Sequence, residues 1–173
     1  MGDDSLASRS RRLLDEAKYL TLGTVSTDGR PWSAVLQYAW LGEPLRFLFG
    51  SAIQARHSRH VATRPRISGS LFVTGGGELL AVDGAQFSGS CVELCAAEVH
   101  RYHATFYDAV LPDARDRTEW TLPPEALLEP AEHRLYLIEV EQWWLVDTST
   151  WAEDRIDRRV QVPRSELSEL DTI

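Results

Sequence analysis

Residues 19–49 hold the pattern that most constrains the fold: three strand-like segments divided by two tight-turn signals. In 19–25, Leu20, Leu22 and Thr24 alternate with Tyr19, Thr21 and Val25, the two-residue period of a strand with one face on a core. Asp28-Gly29 follows, and this dipeptide favours the left-handed backbone of a short hairpin. Residues 31–41 make a second strand, rich in Trp32, Val35, Leu36, Tyr38 and Trp40. Gly42-Glu43-Pro44 turns the chain again, and residues 45–49 are a third strand.

The next segment changes character. Residues 54–63 read as a short helix crowded with Arg56, His57, Arg59 and His60. Arg64-Pro65 ends it, because the residue before a proline avoids the helical region. Residues 66–73 are a fourth strand, Gly75-Gly76-Gly77 a flexible loop, and 86–95 a fifth strand. Residues 96–111 carry Val99, Tyr102, Phe106 and Val110 at helical spacing. Residues 112–130 are acidic, hold four prolines and read as an irregular insertion. Two strands follow at 134–141 and 143–146, and 155–162 is expected as a last one. Residues 6–18 are an amphipathic N-terminal helix, with Leu6, Leu13, Leu14 and Ala17 on one side. Short, mostly hairpin-linked strands with few helices point to one mainly β (α+β) domain over 1–173, a small antiparallel barrel.

Composition narrows the partners. The net charge of −8 argues against a general nucleic-acid binder. No apolar run approaches the length of a membrane span. The N-terminal residues lack the apolar stretch of a secretory signal, and Met1-Gly2 matches a myristoylation site only loosely. Cys91 and Cys95, four apart on a strand, would stand roughly 13 Å from each other, too far for a disulfide. A reducing cytoplasm is therefore expected.

Candidate chemistry sits in 51–60. Arg56, His57, Arg59 and His60 crowd the first turns of a helix, where unpaired amides and the helix dipole favour an anion. A phosphate site and a plain solvated basic face both explain the cluster. His57 and His60, like His100 and His103, are three apart, but no carboxylate or cysteine joins either pair at telling spacing, so no metal site is expected. His100 and His103 are expected at the surface or over the barrel mouth. Trp143, Trp144 and Trp151 line a substrate or pack a dimer seam. No catalytic acid or nucleophile stands out.

Taken in order, Y-L-T-L-G-T-V, D-G-R-P-W-S, Y-A-W, L-R-F-L-F, R-H-S-R-H-V-A-T-R-P-R-I-S-G-S-L and Q-F-S-G-S-C resemble the pyridoxamine 5′-phosphate oxidase-like FMN-binding split-barrel superfamily. The resemblance implies a six-stranded antiparallel split β-barrel with peripheral helices. It implies a homodimer with FMN in grooves between the protomers. It places the flavin phosphate on Ser51, Arg56 and His57, the last where the family often has lysine. Gln86 is the implied polar contact from the fifth strand, and Tyr38, Trp40 and Phe49 lie on strands that could line the groove or simply pack the core. The family's arginine-rich substrate motif has no convincing counterpart at 151–155, so the namesake oxidase reaction is not expected. The expected function is an FMN-dependent oxidoreductase acting on a small organic molecule, because the flavin carries the redox chemistry and needs few protein groups. A deazaflavin-dependent reductase and a non-catalytic flavin- or haem-binding split barrel are the alternatives.

Overall fold

Among the described residues, eight strands pair throughout antiparallel in one curled sheet, ordered β2-β1-β5-β6-β7-β4-β3, with β8 alongside β7. The computed structural model describes residues 5–74, 82–147, 149–168 and 170. The glycine run 75–77 and Met1-Gly2 lie outside the described residues. Helix α1 (Leu6–Glu16) starts at Ser5, whose side chain accepts from the Ser8 amide. Strands β1 (Tyr19–Val25) and β2 (Pro31–Gln37) form the hairpin expected around Asp28-Gly29. Gly29 has φ +85° there, a conformation that only glycine adopts without strain.

Strand β3 (Ala39–Leu41) follows β2 after the single residue Tyr38. Yet β2 and β3 lie at opposite ends of the strand order. The sheet must therefore curl until its two edges meet at Tyr38, where the covalent chain and not a hydrogen-bonded ladder closes the barrel. This splits the strand expected over 31–41. Tyr38 is buried at the corner and its hydroxyl donates to the Leu14 carbonyl of α1.

Strand β4 (Arg46–Ala52) leads to α2 (Arg56–Thr63), which ends where Pro65 required. Strands β5 (Arg66–Thr74) and β6 (Val82–Glu93) then pair. Helix α3 (Ala96–Val110), helix α4 (Ala114–Trp120) and a 3-10 turn (Pro124–Leu127) precede β7 (His133–Asp147). Helix α5 (Trp151–Asp154), β8 (Arg158–Gln161) and α6 (Arg164–Leu167) complete the order.

Three expectations are corrected. The strand count among the described residues is eight, not six, because Tyr38 divides one strand and β8 adds an edge. Residues 134–146 form one strand, not two. Ser88 pairs with Gln142 but Gly89 with Val140, so Glu141 is an extra residue whose bulge reverses the side-chain alternation. The proline-rich insertion contains α4, capped by Asp113, whose side chain accepts from the Arg115 and Asp116 amides.

The barrel interior is aromatic. Phe47 stands within 5.1 Å of Phe87 and 6.1 Å of Trp143, ring centre to ring centre, and all three are almost fully buried. The Trp143 indole donates to Ser10 of α1 at 3.1 Å. Burying a side chain of this size is worth roughly 1.5–3 kcal/mol. A second cluster packs α3 through Val99, Tyr102 and Phe106 onto Leu48, Leu135 and Leu137. The Arg9 guanidinium fastens α1 to the wall by donating to Asp83 and to the Val146 carbonyl, both at 2.8 Å.

Candidate functional site

At one rim of the barrel, three strand ends present side chains to α2. Thr24 ends the inward row of β1 after Leu20 and Leu22, and Trp32 is its cross-strand partner on β2. Ser51 continues the inward row of Phe47 and Phe49 on β4. Helix α2 answers each of them. The Arg56 guanidinium lies 4.3 Å from the ring centre of Trp32. His57 Nε2 is 2.8 Å from Ser51 Oγ, and His60 Nδ1 is 3.0 Å from Thr24 Oγ1. One helical turn thus bridges β1, β2 and β4, strands that are not all neighbours in the sheet.

The start of α2 has the features that can accept an anion. Its N-cap, Ala55, offers no side-chain hydrogen bond, and no acidic residue occupies the first turn. The first-turn amides are thus left for another acceptor, and the positive end of the helix dipole is uncompensated. Ser51 is half-buried, Arg56 exposed and His57 buried. Burial first, and then neighbouring His60, hold the His57 imidazole below its ordinary range. Its ring also packs edge-on to Phe49 at 6.0 Å. The donor set of guanidinium, hydroxyl and free amides fits a phosphate monoester.

The outer wall carries a different feature, an open groove of about 550 Å³. Its floor is small and hydroxylated: Thr21, Ser33, Ser68, Ser70 and Ser88 line it. The register explains this. Thr21, Ser70, Gln86 and Trp144 form one cross-strand row, and Gly23, Ser68 and Ser88 the next. At the far side the Arg159 side chain of β8 crosses β7 to donate to Gln86 at 3.1 Å. The Trp144 indole stands in the same row as Gln86.

Ser51, Arg56 and His57 are therefore brought together as expected. Gln86 is not with them: it faces outward, while they sit on the inward rim. Tyr38 and Trp40 do not line this rim either. Tyr38 is the buried barrel corner, and Trp40 is held under α1, donating to Asp15 at 3.1 Å with Arg11 over its ring. Phe49 is wholly buried and stacked on Tyr136. Of the tryptophans, Trp143 is core, while Trp144 lines the groove. His100 is exposed, and His103 is tied to the Leu122 carbonyl. No group of three metal-ligating side chains occurs among the described residues. Both cysteines are free, and burial pushes the Cys91 thiol up to about 12. No helix among the described residues is long and apolar enough to cross a membrane.

Sequence reasoning missed Trp32 and Arg159, while Trp144 was one of three tryptophans left between a substrate and a seam. Trp32 looked like one more strand aromatic. The alternating pairs Ser68 and Ser70, and Ser88 and Ser90, were the available sign of a smooth outer face.

A split barrel closed at a covalent corner, with a basic helix start at its rim, defines a class of small split β-barrel proteins. The chain belongs to the pyridoxamine 5′-phosphate oxidase family, whose model matches residues 6–147. No curated protein matches it in sequence. Among solved structures it resembles a heme binding protein from Mycobacterium smegmatis, with TM-score 0.73 and 17% identity over 99% of this chain. The chain spans only 63% of that protein's length. It also resembles PhzG from Burkholderia lata in complex with tetrahydrophenazine-1-carboxylic acid (TM-score 0.59, 20% identity, 90% of this chain and 81% of that one). HutZ, the heme storage protein from Vibrio cholerae, is a third (0.58, 16%, 78% and 89%).

Proposed function

We propose that this protein is a homodimer that binds FMN between its two protomers and uses it for redox chemistry on a small organic molecule. The observation that carries the reading is the acid-free start of α2, with Ser51 and Arg56 beside it. Arg56 is always charged and can fork onto two phosphate oxygens. When bound, the flavin would supply the electron-transfer chemistry, and the protein would supply binding and orientation.

Magnitudes support a shared site. A micromolar complex needs about 8 kcal/mol, and charge-assisted hydrogen bonds give roughly 1.5–3 kcal/mol each. The rim alone falls short, so the ring must be buried as well. Within one chain the outer groove with Gln86, Trp144 and Arg159 lies across the wall from the rim. A second copy would set its groove against this rim and complete the site. Both features then have a use, and the exposed Tyr19, Val35 and Phe72 of the outer wall gain a cover. A cytoplasmic location belongs to the same proposal, since both thiols are free.

The test is complementation. Arg56→Ala is defective at the rim, and Gln86→Ala with Arg159→Ala is defective at the groove. Each variant alone should bind FMN weakly. Chains of the two kinds, co-expressed, should recover some tight sites, because a mixed dimer holds one intact rim facing one intact groove. A mixture that binds only as the average of the two variants counts against the shared site, as does a monomer in sedimentation.

A haem-binding protein without turnover is the second reading, favoured by the similarity to the mycobacterial heme binding protein over nearly the whole chain. Against it, among the described residues the groove is lined by no histidine, cysteine or methionine to serve as an axial ligand, and the rim histidines are engaged, His57 with Ser51 and His60 with Thr24. Stoichiometric haem binding without FMN binding would establish it over the flavin.

A further inference from the structure

We propose that Ser51 and His57 act as a coupled pair that takes up a proton when a phosphate monoester dianion binds at the rim, which makes the site selective for the phosphorylated flavin in a pH-dependent way. This deepens the FMN reading and rests on it.

The argument starts from one hydroxyl hydrogen. Ser51 Oγ and His57 Nε2 stand 2.8 Å apart. If the Ser51 hydroxyl donates to Nε2, it has no hydrogen left, and an arriving phosphate oxygen meets a lone pair. If Nε2 carries a proton and donates to Ser51 Oγ, the hydroxyl hydrogen is freed for the phosphate. A phosphate oxygen that accepts from the Ser51 hydroxyl therefore requires Nε2–H. The neutral Nε2–H tautomer satisfies that hydrogen bond, but the two negative charges next to the ring favour the imidazolium.

The surroundings explain why the free protein does not hold that proton already. Along α2, His57 shares its helix with Arg56, Arg59 and His60, all cationic or able to become so. From β4 it meets Ser51 and the Phe49 ring. Tyr136 of β7 stacks behind Phe49. The carboxylate of Glu93 on β6 is engaged by Arg134 at 2.8 Å. Asp28 of the β1–β2 turn bears on His60. Thus the neighbourhood of His57 is apolar and positive, and only an incoming anion reverses it. A lysine in this position would be charged beforehand and would show no such linkage.

The experiment is titration calorimetry in two buffers of different ionisation enthalpy, at about pH 7.5, where a phosphate with second pKa near 6 is already dianionic. FMN should bind with net uptake of up to one proton, and riboflavin with none. FMN affinity should fall as pH rises, by at most about tenfold per pH unit. His57→Gln should abolish the uptake and weaken FMN binding. His57→Lys should abolish the uptake while keeping the affinity. FMN binding to the wild type without proton uptake, or uptake that persists in His57→Gln, overturns the pair while leaving the FMN site standing. Failure of FMN to bind at all overturns both.

Discussion

The Arg56 guanidinium lies 4.3 Å from the ring centre of Trp32, an aromatic platform at the barrel rim. The two residues come from α2 and β2, so the stacking fixes the direction of a long side chain that would otherwise sample many rotamers. Cation–π contacts at exposed sites are worth about 0.5–1 kcal/mol. Trp32→Leu should therefore weaken FMN binding about two- to fivefold, and Trp32→Phe should restore part of it. Fluorescence titration checks both. An unchanged affinity in Trp32→Leu would mean that the stacking does not orient Arg56 for the ligand.

Histidine burial makes a separate prediction about stability. Burial, followed by the charge of His60, lowers the His57 value from 6.5 in the folded chain. The unfolded chain thus binds the proton more readily. Stability from this residue is fully present above the unfolded value and is lost as pH falls below it, towards the lowered folded value. Urea unfolding should show the wild type losing stability from about pH 6.5 downwards. His57→Gln should lose less over the same window. Parallel pH profiles for the two proteins would contradict the buried neutral imidazole.

The bulge in β7 depends on Gly89. A Cβ at that position would lie 1.9 Å from the Glu139 carbonyl oxygen, closer than any packed pair of atoms tolerates. Gly89→Ala must push two paired strands apart, and should cost at least about 3 kcal/mol. The urea midpoint should drop with the slope unchanged. A loss under about 1 kcal/mol would show that β6 and β7 can shift without strain.

Much of this fold was legible because turn chemistry is local. Asp28-Gly29 and Pro65 each act through backbone geometry within a few residues, and the hairpin and the end of α2 fall where they required. The bulge at Glu141 was not legible, since it appears only as a break in alternation that also reads as two strands. Tyr38 carried no break signal at all; it becomes a corner because the two sheet edges must meet there. Helix α4 buries none of its residues, so it lacks the apolar stripe that would have marked it. At the site, Ser51, Arg56 and His57 lie within seven positions and share one loop and helix turn. Gln86 and Arg159 are 73 positions apart, and only strand pairing brings them to one groove. Tyr38 and Trp40 misled because a strand aromatic beside a candidate loop looks the same whether it lines a groove or supports α1.

The most direct measurement of the central claim is a paired titration of the purified protein with FMN and with riboflavin, in the wild type and in Arg56→Ala. Arg56 is exposed, so its loss should leave the fold intact. The account predicts that FMN binds the wild type at least about tenfold more tightly than riboflavin does, a difference of about 1.4 kcal/mol, and that Arg56→Ala reduces FMN towards the riboflavin value. Equal affinity for FMN and riboflavin in the wild type, or FMN binding untouched by Arg56→Ala, would contradict a phosphate site at the start of α2.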